Sequence, residues 1–234
     1  MILRLPHLAL ALCAAFALPA RAQDIAAESY ATLRAELDGI VTFETLPWRA
    51  EPGLNFDQAL RLPGLWLGER FAGQSLAPGA STHDLPDAAA PAAPLTVRPG
   101  RPGENLSVAF HRGFGSNALF PLGPDGFARI SGRGEGAVAI LFDHDQYALG
   151  LRLHAQYPAP LGAAPETGPV TVAFFARDGR RLATLRHIPS AGVVALGWRR
   201  AGNRPDIAGI LITNTDPGGI AIDDIIFQRT PPLG

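Results

Sequence analysis

The chain has 234 residues, and its 20 basic residues, all arginine, nearly balance 21 acids for a formal net charge of −1. That balance excludes a general nucleic-acid binder, which needs a strongly basic surface. One cysteine excludes a disulfide framework, while the length suffices for one sizeable hydrophobic core.

Residues 1–22 read as a secretory signal peptide. Arg4 supplies the positive start, residues 8–18 an apolar run, and Ala20-Arg21-Ala22 a small-x-small cleavage site. The run is too short to span a bilayer, and Leu12 before Cys13 does not fit a lipobox. Cleavage places Gln23 first and removes Cys13, Arg4 and Arg21. The expectation is an exported chain, periplasmic or extracellular, mildly acidic and held by its core or by a metal.

Residues 23–39 form the next segment, an expected helical extension. A helix is predicted over residues 24–37, with Asp24 as its cap, Tyr30, Leu33 and Leu37 on one face, and Asp38-Gly39 as its end. Strand texture begins at residues 40–45 and returns, broken by glycine, at 62–71. Residues 74–105 are rich in Ala, Pro and Gly and read as a long loop, either a lid or a spacer. Weaker strand patterns cover residues 108–110 and 127–130.

The second half is more regular. Strands are predicted at residues 137–142 and 147–154, the latter with Tyr147, Leu149, Leu151 and Leu153 alternating against Arg152 and His154. Others follow at 170–176, 181–186, 193–199, 207–213 and 220–228. Asp178-Gly179 marks a hairpin and residues 216–219 a tight turn. Many short strands at hairpin spacing without intervening helices predict an all-β antiparallel sandwich, a jelly roll, over residues 40–229, with a tail at 230–234.

The last strand, "GIAIDDIIFQ", carries two adjacent acids. Strict alternation puts Ile220, Ile222, Asp224 and Ile226 on one face and Ala221, Asp223, Ile225 and Phe227 on the other. Both faces are otherwise apolar, so each carboxylate needs a hydrogen bond, an ion pair or a metal.

The "AIDDIIF" stretch, with Phe43-Glu44 in "VTFETLP", resembles secreted bacterial jelly rolls of the galactose-binding-like type, a class with many carbohydrate-binding modules. The resemblance implies a structural calcium ion held by Glu44 and Asp223, with Asp224 beside them; calcium takes several hard oxygen ligands. A longer run, from "ERFAGQ" through "DIAGILITNTDPGGIAIDDIIF", is similar to uncharacterised exported proteins, some carrying a PEP-CTERM sorting tail. That tail's apolar helix and basic end have no counterpart in Pro231-Pro-Leu-Gly234. The competing reading of Asp223 and Asp224 is that they hydrogen-bond nearby amides and serve the fold alone.

Other chemistry is weakly signalled. Asp143-His144-Asp145 reads as a polar turn in preference to a metal site. His111 and Ser116 lie in "HRGFGSN" without a nucleophile elbow. The glycine-rich "SGRGEG" at residues 131–136 lacks a P-loop ending, and neither HExxH nor CxxC frames a zinc site. Glu51, Glu69 and Glu135 are acids available to a hydrolase, but sequence does not pair them. Of Trp48, Trp66 and Trp198, Trp48 is the best exposed platform for a sugar, since it follows Pro47 and precedes a polar loop.

Three functions remain open. One is an exported, non-catalytic module that binds extracellular or cell-wall glycan. Another is a structural or interaction protein of the envelope or matrix. The last is a carboxylate-dependent hydrolase.

Overall fold

The computed structural model describes residues 24–78, 83–86, 89–155 and 167–231. The signal peptide expected at residues 1–22, and residues 232–234 of the tail, lie outside them.

In chain order the elements are β1 (Ile25–Ala27), α1 (Tyr30–Glu36), β2 (Gly39–Val41), β3 (Leu54–Phe56), β4 (Leu60–Leu62), β5 (Leu65–Gly68), β6 (Arg70–Phe71), β7 (Leu76–Pro78), β8 (Asp84–Pro86) and β9 (Val97–Arg98). They continue with β10 (Leu106–His111), β11 (Ser116–Pro121), β12 (Val138–Gln146), β13 (Ala148–Ala155), β14 (Val170–Phe175), β15 (Arg181–His187), β16 (Gly192–Arg200), β17 (Ile207–Asn214) and β18 (Ile220–Phe227). Two antiparallel sheets form a sandwich-like pair. The larger runs β1-β16-β13-β18-β11-β10-β3, with β2 also paired to β18; the smaller runs β15-β14-β17-β12-β5-β4. Their facing side chains make the main core. Leu119, Leu151, Ile222 and Phe227 come from the larger sheet, Leu67, Ile140, Phe174 and Ile210 from the smaller.

The seven strands expected from residue 137 onward all form. The N-terminal expectation needs correction: residues 24–37 are not one helix. Ile25 is fully buried in the main core and β1 pairs with the end of β16, so this segment belongs to the sandwich. The helix begins only after Ser29, whose hydroxyl accepts from the Thr32 amide. It lies on the outer face of the larger sheet, where Gly150 and Gly197 stand opposite each other in register. A Cβ on Gly197 would come within 2.7 Å of the Glu28 carbonyl and 2.9 Å of Leu33 Cδ1. This glycine pair makes the flat patch that admits α1, burying Leu33 and Leu37.

Residues 62–71 are a hairpin, β4–β5, followed by β6, and not a single interrupted strand. Residues 127–130 do not form a strand: a short 3-10 turn spans Ile130–Gly132, leaving Ile130 exposed. "SNALFP" forms β11, hidden in the sequence behind Gly113 and Gly115, which shape the preceding turn.

The 74–105 segment is not a structureless loop. It carries the antiparallel pair β7 and β8, and β9, which pairs with β6. Leu95 and Val97 from this segment, with Phe71 of β6, cover the outer face of the smaller sheet, packing on Ala139, Phe175, Ala208 and Leu211. That cover is why β17 is buried along its whole length.

Candidate functional site

The two acids of β18 sit where this strand changes neighbour. Its first half pairs with β11 through Leu119 and Ile222; its second half pairs with β2 from Ile225 to Phe227. Between them the ladder to β13 takes one extra residue on β18, since Arg152 pairs with Asp223 and Gly150 with Ile226. This is a β-bulge. Asp224 adopts φ +48°, in the left-handed region that Asp tolerates better than most residues. The bulge resets the alternation. Ile220 and Ile222, and after it Ile225 and Phe227, all face the core, whereas Ile226 packs under α1. The strict alternation expected from sequence therefore fails at Asp224.

Two of the three predicted acids, Asp223 and Glu44, cap amides at this split. The Asp224 N–H donates to Asp223 Oδ1 at 2.7 Å, and the Ser116 hydroxyl donates to Asp223 Oδ2 at 2.6 Å. One residue further along β11, the Asn117 N–H donates to Glu44 Oε1 at 2.6 Å. Glu44 and Asp223 are thus held by consecutive residues of β11. Asp223 is 1% exposed. Burial pushes its carboxyl up to about 7 against the pull of Ser116 and the Asp224 amide, and the Asp224 and Glu44 charges add to the rise. Asp224 turns its own carboxylate to Arg152 at 2.9 Å and accepts the Tyr30 hydroxyl on its carbonyl at 2.8 Å.

The Glu44 turn is itself tied to β11. Phe43 has φ +58°, and the Asn117 side-chain amide donates to the Phe43 and Leu46 carbonyls. Among the described residues no group of three or more His, Asp or Glu side chains is disposed to hold a metal.

The outer face beside this split carries more polar groups. His111 Nε2 lies 2.8 Å from His154 Nδ1, and Glu51 Oε1 lies 4.0 Å from His111 Nδ1. Burial, with the neighbouring His154, lowers His111 to about 4, and burial also lowers His154 against the Asp216 charge, so the pair is neutral at physiological pH. The β10–β11 turn folds over it. Phe114 meets His111 edge-on at 5.3 Å, and the Arg152 guanidinium lies 5.5 Å from the Phe114 ring. His111 and Ser116 stand opposite each other in register, yet Ser116 donates to Asp223 and His111 faces His154. The described contacts form no Ser–His dyad.

The remaining candidates scatter. Asp143 pairs with Arg61 and Asp145 with Arg177 in an irregular stretch at the end of β12, so "DHD" is part of a strand with two ion pairs and not a free turn. The glycine-rich stretch serves the fold, because the Gly134 carbonyl accepts from the Ile220 amide and the Asn214 side chain. Glu51 pairs with Arg133, Glu135 is buried, and Glu69 lines a separate cleft. Trp198 is core, against Phe174. Trp66 lies beneath the Arg61 guanidinium. Trp48 is 64% exposed, its ring centroid 5.4 Å from that of Phe110. His154, Arg152 and Asn117 were missed in the sequence. Arg152 and His154 were signalled only by their place on an alternating strand, which says nothing of cross-strand neighbours, and Asn117 carried no signal because no strand was expected there.

Among the described residues no helix is long and apolar enough to cross a membrane. No protein-family model and no curated protein matches the chain. Among solved structures, the enzymatically active domain of tailspike protein 4 from bacteriophage CBA120 aligns at 14% identity and a TM-score of 0.30, over 53% of this chain and 17% of that one. A likeness of that size carries no argument about fold or activity.

Proposed function

We propose that this chain is an exported, non-catalytic binding module of the jelly-roll, galactose-binding-like class, and that its ligand is a glycan. The observation that supports this most is Trp48: a large aromatic face open to solvent and propped on Phe110. An aromatic face of this kind stacks on a pyranose ring, while the Phe110 N–H, donating to the Arg49 carbonyl at 2.7 Å, ties its loop to β10 and lowers the entropic cost of binding.

Trp48→Ala is expected to abolish retention on the glycan that the intact protein selects from an array of cell-wall and extracellular polysaccharides. Its melting midpoint should stay within about 1–2 °C of the parent, because little of the ring is buried. Selection of no glycan by the parent, or retention unchanged in Trp48→Ala, would overturn the reading.

A structural calcium ion is the second part of this proposal, with Glu44 and Asp223 as its carboxylate ligands and Asp224 as the adjoining acid. Binding to the native state alone raises the melting midpoint once calcium exceeds its dissociation constant. The expected result is a rise in calcium that is lost in EDTA and in Glu44→Gln. An unchanged midpoint in a preparation free of metal would leave the acids as caps of the split ladder, with no role for calcium.

An envelope or matrix interaction role is the alternative. It is favoured by the edge strand β15, whose Arg181, Arg186 and His187 are exposed. A specific protein partner recovered by pull-down, together with silence on the glycan array, would decide for it.

A further inference from the structure

A cleft of about 250 Å³ opens at the other end of β10 from Trp48. The carboxyls of Glu69, Asp84 and Glu104 line it together with Arg70, Arg101 and Gln74. Two of these acids are already matched by guanidinia. Glu69 pairs with Arg70, which also donates to the Pro99 carbonyl, and Glu104 lies 4.0 Å from Arg101. Asp84 is different. It is 7% exposed, yet its carboxyl accepts no hydrogen bond and makes no ion pair with any described residue. Its backbone is fixed, since β8 pairs with β7 and the Asp84 amide donates to the Glu135 carbonyl.

A buried carboxylate without a partner is costly unless a proton or a ligand compensates it. Burial, reinforced by the Glu69 and Glu104 charges and opposed by Arg70, pushes Asp84 up to about 7. Near neutral pH it is therefore poised to exchange its proton for another positive partner. The formal charge of the lining, three carboxylates against two guanidinia, leaves a single negative charge to be met. The space is also too large for a bare ion: about 250 Å³ would hold roughly eight waters at ~30 Å³ each. Nor do any three acidic or histidine side chains among the described residues converge as metal ligands. Size, charge and the rim of arginines and amide describe one kind of occupant.

We propose that this cleft binds a small organic cation, whose ammonium or guanidinium group pairs with Asp84 while its remaining polar atoms face Arg70, Arg101 and Gln74. The site is separate from Trp48 and does not depend on the glycan reading.

The test is calorimetric titration of the full mature protein with D-glucosamine, agmatine and ethanolamine, with glucose and ethylene glycol as uncharged counterparts and calcium chloride as a bare ion. The cations should bind and the uncharged counterparts should not. For agmatine and ethanolamine, which stay cationic throughout, affinity should rise as the pH is raised from 6 towards 8, with proton release seen as a dependence on buffer ionisation enthalpy. Asp84→Asn should weaken binding by roughly 10- to 100-fold, the loss of one buried charge-assisted hydrogen bond. Trp48→Ala should leave it unchanged. If Asp84→Asn fails to fold by circular dichroism, Glu104→Gln at the rim provides a second variant, with a smaller loss expected. Failure of all three cations to bind, equal binding of glucose, or calcium binding that requires Asp84 would each overturn the proposal.

Discussion

The protein will lose roughly 3 kcal/mol of stability as the pH rises from about 6.5 to 8. Burial is the main cause that lifts Glu135 to about 8 and Asp84 and Asp223 to about 7. Each keeps its proton in the fold at a pH where the unfolded chain has lost it. The folded state then binds more protons, and stability falls as the pH climbs from the ordinary carboxyl value to the raised one. His111 and His154 work in the opposite sense. Burial holds His111 at about 4 and lowers His154, so below about 6.5 the unfolded chain takes up protons that the fold refuses. At lower pH the two sets oppose each other. The unfolded histidines finish losing their protons between about 6.5 and 7.5, which offsets only a small part of the fall, and the carboxyls dominate the interval. The midpoint of a thermal melt should drop by about 6–12 °C across the interval. Glu135→Gln should flatten the curve most, because its raised value reaches furthest into it. A level or rising midpoint would mean that these carboxyls are already ionised in the fold.

Phe227→Ala should be among the most damaging single changes, at about 3–5 kcal/mol. The side chain is 1% exposed and reaches from the larger sheet to Phe142 of the smaller, with ring centroids 5.4 Å apart. The β4–β5 turn rests directly on the ring. Gly64 has φ +95°, and a Cβ there would fall 2.5 Å from Phe227 Cε2. Truncation opens a cavity walled by β-strands of both sheets, which cannot collapse together without breaking ladders. Denaturant unfolding should show a lower midpoint with an unchanged slope. A cost below about 1 kcal/mol would show that the turn settles into the space.

Much of the β architecture could be read in advance, but unevenly. Where apolar alternation was unbroken and bounded by clear turns, as from Tyr147 to His154 or around Asp178-Gly179, the strands formed as expected. Alternation is a local property, set by the pleat. The failures share a non-local cause. "SNALFP" is a strand because β10 and β18 flank it, although no strand was expected after the glycines of "HRGFGSN". Ile25 left the expected helix because the end of β16 offered its edge. The 74–105 segment gained its order by covering β17, whose run from Ile207 to Thr213 is apolar enough to require cover on both faces. That requirement was visible in the sequence, but the segment that meets it was not.

The candidate sites divide in the same way. The family resemblance added Glu44 through its Phe-Glu pair, and residue pattern picked out Asp223 and Asp224 as odd residues in an apolar strand and Trp48 from a Pro-Trp step. It did not reveal that Asp223 and Glu44 cap amides where β18 passes from β11 to β2, because a ladder split belongs to three strands at once. Nor did it reveal Asp84, which reads as an ordinary polar residue between His83 and Leu85 and becomes an isolated carboxyl only when the fold brings Glu69 and Glu104 to its side. The sequence by itself determined the antiparallel β texture, the lack of disulfides and the absence of a strongly basic surface, since these follow from residue type and period. Tertiary structure alone decided the bulge at Asp224, the glycine patch under α1, the neutral histidine pair and the acidic cleft. Each of these depends on which distant strands become neighbours, and burial then sets the charge state of the groups they enclose.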